Sequence, residues 1–168
     1  PQTGHILTRQ QLPARIFGGG PLPDGSIVAV TYRKGAFIVT QNGVNPIRQI
    51  PPSTRAEVND DGTLLAVAQR GGKLLLFETR NWKKLWEHQF AEPPYGIAFL
   101  PSNDIVVTTR SGKVVLLNRE NGDKSFCLQQ LPVGRYHKVS ISPDGRVIVL
   151  HSGFADAIWI LRIPPLPR

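Results

Sequence analysis

The chain repeats at a period of about 40 residues, and no other feature constrains its fold as strongly. A turn rich in Pro, Asp, Asn and Gly recurs with its central residue at Gly25, Gly62, Asn103 and Gly145, so successive turns are 37, 41 and 42 residues apart. Each turn is followed by an apolar run, a Gly-containing turn and a second apolar run. A helical repeat of this length would show apolar residues at a period of 3.6, and these segments lack it. The repeat therefore predicts four units of short antiparallel strands.

Two strands in each unit are apolar almost throughout, which indicates that both of their faces are covered. The earlier strands are predicted at Ile27–Tyr32, Leu64–Gln69, Ile105–Thr109 and Val147–His151, and the later strands at Phe37–Thr40, Leu74–Phe77, Val114–Leu117 and Ile158–Leu161. Units that stack face to face around an axis cover such strands on both sides. A blade of a β-propeller has four strands and about 40–45 residues, so period and pattern both predict this all-β fold. We label the strands of a blade a to d from the axis outward.

The hairpins SISPDGRVIVL and VNDDGTLLAVA resemble the first hairpin of WD-repeat and YVTN-type propeller blades. The resemblance extends from Thr3 to Ile163. It is a divergent resemblance, because no c strand ends in Trp-Asp and the Gly4-His5 pair falls in a d strand instead of a d–a turn. It implies a four-bladed member of the WD-repeat-like family, and a scaffold that mediates protein–protein interaction. Propellers also host many unrelated tasks.

The repeat predicts a single propeller domain over residues 1–163, with blades at about 14–51, 54–91, 95–131 and 136–163, followed by a proline-rich tail at 164–168. The segment TGHILTRQQLP near the N-terminus is similar to NGDKSFCLQQLP, the d strand after blade three. Residues 3–12 are therefore predicted to supply the missing outer strand of blade four. A closed ring of four blades, half of a dimeric ring and a piece of a larger propeller all agree with this pattern.

Basic residues exceed acidic residues by 8, and the isoelectric point is near 10.2. This surplus favours acidic partners, although it also agrees with a solvated surface. In a propeller the d–a and b–c loops share one face, and much of the positive charge falls there. We predict a basic face made of Arg15, Arg33, Lys34, Arg55, Arg70, Lys73, Arg110, Lys113, Arg135, His137 and Lys138. Arg33, Arg70 and Arg110 end successive b strands, and arginines in such an arc can hold carboxylates or phosphates in bidentate fashion.

Sequence signatures of enzymes are missing. The chain has no HExxH, CxxCH or GxSxG motif and no phosphate-binding Gly loop. Cys127 is its one cysteine, and its four histidines have no metal-ligand spacing. No apolar run approaches the roughly 18–20 residues of a membrane span. No catalytic residue, metal, cofactor or membrane partner is predicted.

Two functions follow as expectations. The first is a non-enzymatic scaffold that binds a protein partner or other domains of a larger chain, with a homodimer that completes a larger ring as one version. The alternative is the binding of an anionic ligand, such as nucleic acid, a polyanionic sugar or phosphate, on the basic face.

Overall fold

A computed structural model describes residues 9–128, 131, 136–152 and 158–163. All regular structure in these residues is β-strand. The strands are β1 (Ile16–Pro21), β2 (Ile27–Thr31), β3 (Gly35–Thr40), β4 (Gly43–Ile47), β5 (Arg55–Val58), β6 (Leu64–Ala68), β7 (Lys73–Glu78), β8 (Lys84–Gln89), β9 (Pro94–Phe99), β10 (Ile105–Thr109), β11 (Val114–Leu117), β12 (Lys124–Leu128), β13 (Tyr136–Ile141), β14 (Val147–Ser152) and β15 (Ile158–Arg162).

These strands form four antiparallel blades in chain order. Blade one is β1–β4, blade two β5–β8, blade three β9–β12 and blade four β13–β15. The inner strands β1, β5, β9 and β13 follow one another, each in contact with the next. The predicted all-β class with propeller-like blades is confirmed, and the second and third strand of each blade lie where the apolar runs indicated.

The predicted closing strand stays a prediction. Residues 3–8 and the tail at 164–168 lie outside the described residues, and residues 9–12 form no strand. The side-chain amide of Gln10 donates to the carbonyl of Gln41, at the c–d turn of blade one, over 3.2 Å. Blade four has three described strands.

Blades one and two share one eight-stranded sheet, because β1 pairs in parallel with β5. Gly18 is opposite Ala56, and Gly19 is opposite Glu57. A Cβ on Gly18 would lie 2.1 Å from the carbonyl oxygen of Ala56, so two inner strands approach this closely only where the side chain is hydrogen. Gly18, Gly19 and Gly20 are consecutive in the sequence, and three missing side chains permit close packing there. The sequence does not predict that two blades pair through their main chains.

Each a–b hairpin turns on a residue with positive φ, as the repeat predicts. The angles are 81° at Gly25, 75° at Gly62, 68° at Asn103 and 70° at Gly145. Glycine and asparagine tolerate this left-handed conformation better than other residues. The recurring turn signature is thus a backbone requirement repeated once per blade.

The aspartates of these turns hold the backbone in place. Asp24 Oδ1 accepts hydrogen bonds from Ser26 Oγ at 2.6 Å and Ser26 N at 2.9 Å. Asp144 Oδ1 accepts from Ser142 Oγ at 2.6 Å and from Arg146 N at 3.1 Å. These bonds hold the pKa of both carboxyl groups below the usual range. Asp24 and Asp144 therefore serve the geometry of their turns.

The core consists of three layers between successive blades. Alternate residues along each strand face the preceding or the following blade, because the side-chain period of a strand is 2. The layers include Val28, Val30, Leu65 and Val67 between blades one and two; Ala66, Leu76, Ile105 and Val107 between two and three; and Val106, Leu116, Ile148 and Leu150 between three and four. Trp159 packs against the last layer, as expected for an inter-blade residue.

Trp86 joins the outer part of blade two to blade three. It is buried in β8, and its indole Nε1 donates to the carbonyl of Arg119 over 2.7 Å. Gly122 lies against the ring so closely that a Cβ there would be 2.8 Å from it. The outer strands are therefore also held together, although they are more polar than the middle strands.

Candidate binding surface

Three of the predicted basic residues gather around two aromatic rings at the d–a and b–c end of blade one. The ring centroids of Phe17 and Tyr32 are 5.4 Å apart. The guanidinium carbons of Arg15 and Arg55 lie 5.2 and 5.8 Å from the centroid of Phe17. That of Arg33 lies 5.7 Å from Tyr32. Cations at such distances are attracted by the ring quadrupole, which also restricts the long side chains. We call these five residues the Arg–aromatic cluster.

The strands explain why the cluster forms. Arg15 directly precedes β1, and Phe17 lies where the register of β1 against β2 shifts between Ile16 and Gly18. This irregularity brings the ring of Phe17 beneath the guanidinium of Arg15. The backbone N–H of Tyr32 donates to the carbonyl of Arg15 over 3.2 Å, which brings the end of β2 alongside. Arg33 follows Tyr32 directly, in the turn before β3. The first hairpin of blade one thus places two arginines at the rim of two rings.

The two outer arginines of the cluster are available to a partner. Arg15 and Arg33 are exposed, and Phe17 and Tyr32 are half-buried. No described carboxylate forms an ion pair with either arginine. Each guanidinium can therefore donate two hydrogen bonds to a carboxylate or phosphate, in the bidentate geometry that arginine favours.

Arg55 has a positioning role. It is half-buried, and its Nε donates to the carbonyl of Tyr95 over 2.8 Å while Nη1 donates to the carbonyl of Thr54 over 2.7 Å. Burial lowers the pKa of the guanidinium, but an arginine stays charged in proteins. Arg55 thus links blade two to the start of blade three beneath Phe17.

The other predicted residues of blades one to three lie at the surface but outside the cluster. Lys34, Arg70, Arg110 and Lys113 are exposed. The strands β2, β6 and β10 end before the arginines that were expected to end them, so these arginines lie in the b–c turns. The three arginines still recur at equivalent positions from blade to blade, but they lie on loops and not at the ends of strands.

Acidic residues neutralise part of the arc. Lys73 Nζ lies 3.1 Å from Glu87 Oε1, and Lys84 Nζ lies 2.7 Å from Glu87 Oε2. Burial raises the pKa of Glu92, but hydrogen bonds from Ser111 and the charge of Lys113 outweigh it and the pKa is lowered. The unopposed charge is therefore greater at Arg15 and Arg33 than at the lysines of blades two and three.

Blade four provides less of the predicted face. Arg135 lies outside the described residues, and the side chain of His137 is not described. Lys138 is exposed, but it lies within β13, opposite His151, and not in a d–a loop. Its contribution to the basic face stays a prediction.

Sequence reasoning missed Phe17 and Glu57. The sequence gives no clear signal for Phe17, because its position beside Arg15 depends on the register shift between Ile16 and Gly18. Glu57 is on the inner strand β5 and lines a cavity of about 280 Å³ together with Asp60, Phe99, Val139 and Ile141. Glu57 as a residue is exposed, but desolvation of its carboxyl in the cavity raises the pKa to about 7, and the nearby charge of Asp60 adds to this effect. Nothing in the local sequence marks that environment, because three blades build it.

Two kinds of site were searched for across the described ranges. They contain no group of three or more His, Cys, Asp or Glu residues that could hold a metal ion. They also contain no helix long and apolar enough to cross a membrane.

Two solved structures share this architecture. BamB from Moraxella catarrhalis aligns with a TM-score of 0.70 and 18% sequence identity, over 87% of this chain. The C-terminal WD40 domain of Sif2 aligns with a TM-score of 0.72 and 10% identity, over 92% of this chain. The chain has a β-propeller fold. This propeller covers 45% of the BamB chain and 48% of the Sif2 chain, so it spans less than half of either. No protein-family model and no curated protein matches its sequence.

Proposed function

We propose that this propeller is a non-enzymatic scaffold that binds a protein partner, or another domain of a longer chain, through its basic face. The observation that carries the proposal is the Arg–aromatic cluster, where two exposed arginines flank two partly open rings. Arginine and aromatic residues are enriched at protein interfaces and supply a large share of the binding energy there.

The chemistry of the partner follows from the cluster. The guanidinium groups of Arg15 and Arg33 favour carboxylates, and the rings of Phe17 and Tyr32 offer apolar surface between them. A segment that carries Asp or Glu next to an apolar side chain fits both features. The blades support the cluster rigidly, because the strands that present it are packed on blade two.

Site-specific photocrosslinking tests this function. A photoreactive residue at position 34, which is exposed beside the cluster and leaves both exposed arginines in place, should capture a defined protein from an extract of the source cells, while the same residue at position 119 should not. Position 119 is a fair control because it is also exposed, in the c–d turn of blade three. Capture at position 34 should be lost in an Arg15→Glu background. Equal capture at both positions would contradict the proposal.

The charge of the chain favours a second function, the binding of a polyanion on the same face. The net charge is +8, and the a–b turn aspartates Asp24 and Asp144 are engaged in hydrogen bonds. A labelled single-stranded 12-mer of DNA and a heparin oligosaccharide are suitable probes for fluorescence anisotropy. The affinity for the oligonucleotide should fall by about 0.7 log unit per tenfold rise in salt for each phosphate contact, since neutralised phosphates release counterions.

A matched pair of double variants locates that binding. Arg15→Ala/Arg33→Ala should weaken the binding of the oligonucleotide about tenfold or more, since each removes a charge-assisted contact. Arg80→Ala/Arg119→Ala removes the same charge from c–d turns and should have little effect. Equal losses for both pairs would indicate a response to net charge alone and would exclude a site at the cluster.

A further inference from the structure

Blades two and three, in the middle of the arc of four blades, meet along their outer parts through one face of β8. Trp86, His88 and Phe90 follow one another at alternate positions, so their side chains lie on the side of the strand that faces blade three. Trp86 and Phe90 are buried and belong to the core layer between the two blades. His88 thus lies between two aromatic residues of the core.

One nitrogen of the His88 ring is enclosed. The residue is half-buried, and its Nε2 is buried with no hydrogen-bond partner among the described residues. The ring of Phe90 lies edge-on to it, with ring centroids 4.7 Å apart and planes at 63°. A neutral imidazole can keep Nε2 free of a proton, whereas a protonated ring carries an N–H there. A buried N–H without an acceptor destabilises the state that contains it.

Charged groups of blade three also act on this ring. Lys124 of β12 disfavours its protonation, and Asp123 and the backbone carbonyl of Gly122, in the preceding turn, favour it. Burial of the ring and the charge of Lys124 outweigh the other two, so the pKa of His88 lies below its ordinary value of 6.5. The ring is therefore neutral at neutral pH.

On blade two, an apolar residue is the cross-strand neighbour of His88. Leu74 of β7 is opposite it. Glu87, the next residue on β8, lies on the other side of the strand, where it forms ion pairs with Lys73 and Lys84. The charges that act on His88 thus come from blade three.

The same contact joins β8 to the c–d turn of blade three, residues 118–123. Trp86 Nε1 donates to the carbonyl of Arg119 over 2.7 Å, and Gly122 lies against the indole ring. Gly122 and Asp123 of this turn are also the neighbours of His88. A charge on His88 therefore acts at the point where the outer parts of the two blades meet.

We propose that His88 makes this contact sensitive to pH, so that protonation of its ring releases β8 from the c–d turn of blade three. In the closed contact the ring stays neutral, because a proton on Nε2 would have no acceptor and would lie near Lys124. When the contact opens, the ring enters water and binds a proton below its ordinary pKa of 6.5. The contact is thus fully stable above pH 6.5 and weakens as the pH falls below it. This proposal goes beyond the binding function, because it concerns the outer parts of blades two and three and not the basic face.

Hydrogen exchange of the purified chain tests the proposal. The amides of β8 and of residues 118–123 are followed by mass spectrometry at pH 7.5 and 5.5, with correction for the intrinsic rate of exchange. Their protection should fall about twofold or more at the lower pH, because the open form gains a proton. A Glu57→Gln background removes the opposite effect of Glu57 on global stability. Equal protection at both pH values would overturn the proposal.

Substitution of the histidine identifies the source of the effect. His88→Phe keeps a ring and His88→Gln keeps a polar group, and both variants should lose the change in protection with pH because neither side chain titrates. His151→Gln is the matched control: His151 is an exposed histidine on β14, and this variant should respond to pH as the parent does. A response that persists in both His88 variants would exclude His88 as its source.

The pKa of His88 in the folded protein is a second measurement, which does not depend on opening. An NMR titration of the ring protons should place it below 6.5, and Lys124→Gln should raise it and reduce the change in protection with pH. A His88 that titrates at 6.5 or above in the folded parent would refute the proposal, since the closed contact would then not resist the proton.

Discussion

At the scale of single residues, Gly19 shows how a missing side chain determines the inner surface of the arc. It adopts a φ of 135°, and a Cβ would lie 1.9 Å from the carbonyl oxygen of Val28. Its partner in blade two is Glu57, across the parallel pair of β1 and β5. Any larger residue would therefore separate β1 from β2.

We expect Gly19→Ala to destabilise the protein by at least about 2 kcal/mol, because both the backbone conformation and the space are unsuitable for a side chain. Gly71→Ala is the matched control, since no atom lies within 4 Å of a Cβ at that position. Urea denaturation of the two variants checks this prediction. Equal midpoints would show that β1 shifts at little cost.

Glu57 gives the stability of the protein a predictable dependence on pH. Its pKa rises from 4.5 in the unfolded chain to about 7 in the folded state. Below pH 4.5 the carboxyl of Glu57 is protonated in both the folded and the unfolded chain, so it does not lower the free energy of unfolding. Between pH 4.5 and 7 the unfolded chain ionises first, so stability falls as pH rises, and above pH 7 the penalty is complete.

Glu57→Gln should remove that penalty. We expect the variant to be more stable than the parent by about 1 kcal/mol at pH 8.5 and nearly equal to it at pH 4.5, a modest value because Glu57 is partly open to solvent. Urea titrations at both pH values give the comparison, with Glu120→Gln as an exposed control. A gain of the same size at both pH values would show that ionisation is not the cause.

At the scale of strands and turns, outer strands can contribute as much as the apolar middle strands where one large side chain bridges two blades. Trp86→Ala should cost about 3–5 kcal/mol, since it removes a buried ring and its hydrogen bond to Arg119. The neighbouring Leu85→Ala should cost less than about 1 kcal/mol, because Leu85 is exposed on the same strand. Thermal or urea unfolding separates the two variants.

The sequence predicts strands and turns well because both have local causes. Gly25 and Gly145 need a left-handed backbone, and the runs between turns have an apolar pattern that can be read residue by residue. The pairing of β1 with β5 and the meeting of Arg55 with Phe17 depend on residues 38 positions apart, and their spacing in space is set by the packing of two blades. The basic face as a whole therefore stays a prediction, while the cluster within it depends on packing that the sequence does not reveal.

At the scale of the whole molecule, the first and last blades differ in how well their outer faces are covered. Ile158 and Ile160 of blade four are 63% and 72% exposed, whereas Ala29 and Phe37 of blade one are 5% and 8% exposed. Among the described residues, blade four is held to the rest of the molecule through its packing on blade three.

The sheet that spans blades one and two has a consequence for how the arc comes apart. In repeat architectures each unit contacts only its neighbours, so a unit at the end can open before the rest. Here main-chain bonds fasten the first two units, so their amides should exchange with deuterium together and late. Blade four has three described strands and carries exposed apolar side chains at Ile158 and Ile160, so its amides should exchange earliest. We therefore expect the molecule to open first at blade four.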